Sequence, residues 1–155
     1  MQYAIATKEI SPQPAVVLRR NIKPAEIASA LAEMFPRVIQ YAAANGMAIA
    51  GAPFARYLAM GPDWRIEAGM PVAAASAGSG DGEIAVEALP GGAVAVTTHS
   101  GPYDQLRAAH AAIQEWLKAE GYKAAGPAWE SYINDPGDFP DPKDWKTEVF
   151  VPIAR

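Results

Sequence analysis

Two periodicities divide the chain. Ile27, Leu31, Met34, Val38 and Tyr41 recur at helical spacing, whereas Glu83 to Leu89 alternates like a strand. Turn chemistry sets the boundaries around them. Gln2 to Ile10 reads as a strand, and Ser11-Pro12-Gln13-Pro14 as a turn, because its prolines fix φ and remove donors. Ala15 to Ile22 is then the returning strand. Lys23-Pro24-Ala25-Glu26 has the features of a helix start, and Asn45-Gly46 those of its end. Pro36, inside that helical pattern, is expected to kink or divide the helix. Phe54 to Met60 and Trp64 to Ala73 follow as strands on either side of a Gly61-Pro62-Asp63 turn.

Ala74 to Gly82, rich in Ala, Gly and Ser, has nothing to pack with and reads as a connector. Beyond it the order recurs. Pro90-Gly91-Gly92 predicts a hairpin turn between the strand Glu83 to Leu89 and a second one, Ala93 to His99. Gly101-Pro102-Tyr103-Asp104 opens a helix faced by Leu106, His110, Ile113 and Leu117, and Glu120-Gly121 closes it. Ala128 to Ile133 is a strand, Asn134 to Asp144 a loop, and Trp145 to Val151 the last strand.

Each half thus runs strand, strand, helix, strand, strand. The halves share Gly46/Gly121, Gly51/Gly126, Phe54/Trp129, Tyr57/Tyr132, Trp64/Trp145, Glu67/Glu148 and Pro71/Pro152 in order. The expectation is a single α+β domain over 1–155: repeat one at about 1–73, a linker at 74–82, and repeat two at about 83–155. Each repeat would bury one face of an antiparallel sheet under its helix. Pairing the two about a pseudo-two-fold axis would leave a central cleft, the natural ligand site.

Composition narrows the function. A net charge of −4 with scattered Lys and Arg argues against tracking a phosphate backbone, so no direct nucleic-acid partner is expected. The absence of cysteine removes disulfides, thiol chemistry and thiolate metal sites, and the spacing of His99 and His110 does not suggest zinc. Apolar runs are too short to span a bilayer and no signal pattern opens the chain, so no membrane partner and a cytoplasmic location are expected.

Glu148 is the foremost chemical candidate. Alternation puts Lys146, Glu148 and Phe150 on one face of the last strand and Thr147, Val149 and Val151 on the other. If the second face is core, Glu148 looks into the cleft, where a carboxylate costs free energy unless a donor or cation compensates it. The alternative is a surface carboxylate paired with Lys146 or Arg65, a contact worth ~0–1 kcal/mol. Trp129, Tyr132 and Trp145 could wall the cleft, with Phe54 and Tyr57 opposite, as an aromatic cage for an organic cation; the alternative is that they are core. Glu130 is a second acidic candidate, although alternation puts it and Tyr132 on one face, and Trp129 and Ser131 on the other. Arg56 and Glu67 read as a structural pair, and His99 as a packing or capping residue. Ser100 has no nucleophile elbow, and Gly78, Gly80 and Gly82 make no phosphate fingerprint.

His99-Ser100-Gly101-Pro102-Tyr103, Trp116, Gly121, Gly126-Pro127-Ala128-Trp129-Glu130-Ser131-Tyr132, Asp135-Pro136 and Trp145-Lys146-Thr147-Glu148-Val149-Phe150-Val151-Pro152, in that order, resemble the GyrI-like small-molecule-binding domain. Arg56-Tyr57 and Glu67-Ala68-Gly69-Met70-Pro71-Val72 agree in the first half. That domain is the effector-binding half of many AraC-type and MerR-type regulators and also occurs alone. The resemblance implies a duplicated sheet-plus-helix fold related to the SOUL fold, and a cleft for hydrophobic, often cationic drugs. Glu148 would be its acid, with Trp145, Tyr132, Trp129, Glu130, Tyr57, Phe54 and Tyr103 around it. The expected function is sequestration or sensing of such a molecule. A second reading is hydrolysis of cyclopropane-type genotoxins with Glu148 as the catalytic carboxylate. A third is protein inhibition of DNA gyrase through an acidic surface at Asp135, Asp138, Asp141 and Asp144. Only a short strand precedes the first repeat, so a free-standing domain without a DNA-binding segment is expected. Neither histidine is an evident haem ligand, so no cofactor is expected. A homodimer through a sheet edge and a separate regulator are both left open as partners.

Overall fold

The computed structural model describes residues 3–73, 83–134 and 139–154. Its elements follow the order β1 (Ala6–Ile10), β2 (Gln13–Ile22), α1 (Ile27–Ala44), β3 (Phe54–Ala59), β4 (Trp64–Pro71), β5 (Ile84–Leu89), β6 (Gly92–Ser100), α2 (Leu106–Glu120), β7 (Lys123–Ala124), β8 (Trp129–Tyr132) and β9 (Lys146–Ala154). This is the α+β arrangement of two helices with antiparallel strands that the periodicities imply. The expected connector at 74–82 lies outside the described residues.

Two compact units emerge. An amino-terminal unit holds β2 to β5 with α1, and a carboxy-terminal unit holds β1 and β6 to β9 with α2. In the first, neighbouring strands run β3-β4-β2-β5, all antiparallel. In the second they run β1-β6-β9-β8, with β7 added against the end of β9.

The units do not coincide with the sequence repeats. The hairpin expected across Pro90-Gly91-Gly92 does not form, because β5 lies along β2 while β6 lies along β1. Gly92 is already the first residue of β6, opposite Ile10, and Gln13 stands opposite Leu89. Nor is β2 the return of β1. Period-two alternation identifies a strand but not its neighbour, and this is where the pattern falls short.

One face of β9 is core. Val149, Val151 and Ile153 pack with Ala95 of β6 and with Leu106, Ala109, Ile113 and Leu117, the buried stripe of α2. In the amino-terminal unit α1 lies on β2 and β4, burying Ala30, Leu31, Met34, Val38 and Ala42. Both helices end alike. Gly46 (φ 67°) and Gly121 (φ 79°) take the left-handed conformation that spares a side chain from strain, and the next N–H turns back, from Met47 to Ala42 O and from Tyr122 to Leu117 O, each 2.9 Å. Pro36 does not divide α1, which runs unbroken from Ile27 to Ala44. It sits on the exposed side, where water can serve the carbonyl that loses its donor, while buried Met34 and Val38 hold the turns on either side.

Candidate functional site

The helix-facing residues of β9 leave Glu148, Phe150 and Pro152 for its other face, and burial alternates accordingly from Lys146 to Ala154. Glu148 is half-buried and has no hydrogen-bond or ion-pair partner among the described residues. Neither cation considered for it is spent there. Lys146 Nζ donates to Ser100 Oγ at 2.7 Å, and Arg65 reaches towards Asn21 at 3.5 Å. Directly across from Glu148 stand Thr98 on β6 and Ser131 on β8. Next along this face, buried Trp129 stacks on Phe150 with ring centroids 5.2 Å apart and planes 14° from parallel. The face therefore offers one unspent carboxylate beside two hydroxyl side chains and an aromatic pair.

The remaining carboxy-terminal candidates lie on the helix side. Glu130, 4% exposed, accepts from His110 Nε2 at 2.7 Å and from the Tyr132 hydroxyl at 2.8 Å. Both donors offset the cost of its burial. Tyr132 packs against Tyr103 (centroids 5.3 Å), which packs against Trp145 (4.7 Å), and the Trp145 indole donates to Phe139 O at 2.7 Å. Tyr103 and Tyr132 border the α2 core. Glu130, Tyr132, Tyr103 and Trp145 thus form one cluster, and Glu148 with Trp129 another, on opposite faces of the same strands. A single wall containing all six does not form here, as strand alternation requires. His99, fully buried, donates from Nε2 to Pro102 O at 3.1 Å and bonds through Nδ1 to the Tyr3 hydroxyl at 2.9 Å, a packing role. Burial raises the Tyr3 phenol above its usual range.

In the amino-terminal unit Glu67 stands where Glu148 stands in the other, and it is fully spent. It is 1% exposed and takes Arg19 Nε on Oε2 at 2.7 Å, Arg56 Nε on Oε1 at 3.0 Å and Arg56 Nη2 on Oε2 at 3.2 Å. The expected Arg56–Glu67 pair is present, but Arg19 completes it. Arg19 also forks onto Glu87 at 2.8 and 2.9 Å, a bond that raises its own pKa and lowers that of Glu87. Phe54, buried, lies so closely over Gly69 that a Cβ there would come within 2.1 Å of its Cζ. Tyr57 meets Trp64 edge-on at 5.8 Å.

The sequence reading missed Arg19, His110, Thr98 and Ser131. The signal for Arg19, Thr98 and Ser131 is register, since each is directly opposite a strand glutamate. His110 has no such signal, because its partner is 20 residues away on a strand. Among the described residues no group of three or more potential ligands could hold a metal ion, and no helix is long and apolar enough to cross a membrane. Of the acidic loop, Asp141 caps the short turn Pro142–Asp144, while Asp135 and Asp138 lie outside the described residues.

The GyrI-like small molecule binding domain family matches residues 1–154. Among solved structures, the chain is similar to the C-terminal domain of EcmrR, with 25% identity over 100% of this chain and 99% of that one and a TM-score of 0.89. It also matches EcmrR in an EcmrR–DNA complex (24% identity, TM-score 0.88), there covering 99% of this chain but only 58% of that one. A hydrolase from Listeria innocua is similar at 10% identity over 97% and 91% of the chains, with a TM-score of 0.64. SAV2435 bound to tetraphenylphosphonium is similar at 11% identity over 99% and 94%, with a TM-score of 0.61. No curated protein sequence matches.

Proposed function

The chain belongs to the GyrI-like family of small-molecule-binding domains, and from that premise we propose that it captures a hydrophobic cation against the open face of β9, with Glu148 as counter-charge. The observation that carries this reading is the unspent carboxylate. A half-buried Glu148 without a partner, beside the stacked Trp129 and Phe150, is what a ligand cation would complete. Half-buried Phe150, backed by buried Trp129, is the aromatic group within reach, and an aromatic face attracts such a cation by about 0.5–2 kcal/mol. SAV2435, which shares the fold, was solved with tetraphenylphosphonium, a cation of this kind. The biological outcome would be sequestration, or sensing on behalf of a regulator as EcmrR's architecture suggests. Binding to DNA belongs to the longer EcmrR chain and is not part of the proposal.

Hydrolysis is not favoured. At 10% identity the Listeria hydrolase supports a common fold and nothing about chemistry.

The test is a thermal-shift and calorimetric titration with tetraphenylphosphonium, for the wild type and for Glu148→Gln. Anything that binds only the folded state raises the melting temperature by mass action. The expected result is a shift in the wild type and at least a several-fold loss of affinity in the variant. Equal binding by both would overturn the assignment of Glu148.

A further inference from the structure

Glu67 and Glu148 occupy the same register position in two similar strand arrangements. Arg19 on β2 and Arg56 on β3 stand directly across from Glu67; Thr98 on β6 and Ser131 on β8 stand directly across from Glu148. The surroundings match as well. Phe54 opposite Gly69 corresponds to Trp129 opposite Phe150, and beyond the glutamates Ala50 N–H to Pro71 O (2.9 Å) corresponds to Ala125 N–H to Pro152 O (2.8 Å). The carboxy-terminal unit thus has two short hydroxyl side chains where the amino-terminal unit has two guanidinium groups.

That exchange does more than remove charge. Each arginine carries three methylenes and a planar fork, and each is replaced by a side chain of one or two carbons and a hydroxyl. Thr98 is exposed and Ser131 and Glu148 are half-buried, and no guanidinium among the described residues meets the Glu148 carboxylate. The other cation within reach, Lys146, lies on the same face two residues away and is held by Ser100.

We propose that Thr98 and Ser131 determine the specificity of the Glu148 site by keeping the arginine places vacant, and that the site takes an aryl guanidinium or amidinium. The proposal rests on the cation-binding reading above and narrows its ligand class. Around Glu67 the carboxylate is met by N–H donors on both oxygens, 2.7–3.2 Å away. A carboxylate in the same strand position presents its oxygens to the same cross-strand places. A planar N–H fork gives both charge and two directed bonds there, whereas a quaternary cation gives charge alone. The hydroxyls of Thr98 and Ser131 can accept from the N–H groups that the carboxylate does not use.

The experiment titrates three probes of one shape: biphenyl-4-carboxamidine, biphenyl-4-yl-trimethylammonium and neutral biphenyl-4-carboxamide. Each is measured by calorimetry against the wild type, Glu148→Gln, Ser131→Arg and Thr98→Arg. The amidine should bind the wild type about tenfold or more tightly than the trimethylammonium, because its N–H groups make charge-assisted, directed hydrogen bonds to the carboxylate that the quaternary cation cannot make. Ser131→Arg should supply an internal guanidinium in place of the ligand, and lose amidine affinity about 100-fold while melting no lower than the wild type. Thr98→Arg gives an independent closing variant. Equal affinity for the two cations, or a folded arginine variant that still binds the amidine as the wild type does, would overturn the proposal. Should neither arginine variant fold, the ratio of the two cations on the wild type decides alone. The cation-binding reading fails separately, if neither cation binds more tightly than the neutral amide or if Glu148→Gln changes nothing.

Discussion

Glu67 and Glu148 sit at one register position in the two units, and their environments are opposite. Glu67 is sealed from water and holds two arginines, so its charge is balanced within the fold. Glu148 faces two hydroxyl residues and balances nothing. On the proposed reading, one strand motif serves as a brace in one place and as a receptor in the other. What changes is not the acid but what stands across from it. A buried carboxylate is tolerated only with its donors present, and on the proposed reading the half-buried Glu148, which has no built-in donor, is the one left able to accept a cation from outside.

The largest test of this contrast removes each acid in turn. Glu67→Ala should destabilise the protein by about 3 kcal/mol, near the lower end for breaking a buried pair, because the orphaned Arg19 and Arg56 are partly open to water and can rehydrate. Glu148→Gln should stay within ~0.5 kcal/mol of the wild type, since no internal bond is lost. Urea denaturation of both variants reads the difference. Similar losses in the two would mean that Glu148 is also a structural acid, and the contrast would disappear.

A smaller effect separates the aromatic positions beside the acids. In the amino-terminal unit Phe54 rests on the bare backbone of Gly69; in the other, Trp129 rests on the ring of Phe150. Gly69→Ala should cost about 1–3 kcal/mol, because its Cβ must displace a buried ring. Most of that should return in a Phe54→Leu background, so a double-mutant cycle should show strong coupling. Phe150→Ala should instead cost about 0.5–1.5 kcal/mol of stacking in addition to the area it uncovers. Additive effects at Gly69 and Phe54 would mean that the close approach has no energetic consequence.

How much of this was legible follows from the range of the interactions. The helices and most strands follow from spacing and turn residues, which are local, and the split of Glu148 from Thr147 and Val149 follows from alternation within one strand. The duplicated positions Trp64/Trp145 and Glu67/Glu148 were visible because a repeat can be aligned without knowing its fold. Pairing was not legible. The choice of β2 by β5, rather than the adjacent β6, joins residues about 70 apart, and no local pattern encodes it. The Arg19 that completes the Glu67 pair, and the His110 that satisfies Glu130, depend on that same long-range register. β7 is two residues long, too short to show any period. Alternation alone put Tyr132 with Glu130 and Trp129 with Ser131, but that Trp129 and Ser131 share the face of Glu148 required the pairing of β8 with β9.

The smallest effect concerns acid. Glu87 extends the amino-terminal brace through its fork with Arg19, and that bond holds its carboxyl below the usual range. A carboxyl whose pKa is lower in the folded state contributes stability above its unfolded pKa of about 4.3, and loses it as pH falls through the folded value. Arg19 shifts upward and stays charged throughout, so it adds no pH dependence in this window. The wild type should therefore exceed Glu87→Gln in stability at pH 6 and lose that advantage as pH falls through the lowered folded pKa of Glu87, below the ordinary carboxylate range. The advantage should be at most ~1 kcal/mol, because Glu87 is nearly half exposed and the pair is screened by water. Raising the salt concentration at pH 6 should shrink the gap in the same direction. A gap that neither acid nor high salt shrinks would show that Glu87 acts through packing rather than charge. The brace around Glu67 would then be the arginine pair alone, with no extension to β5.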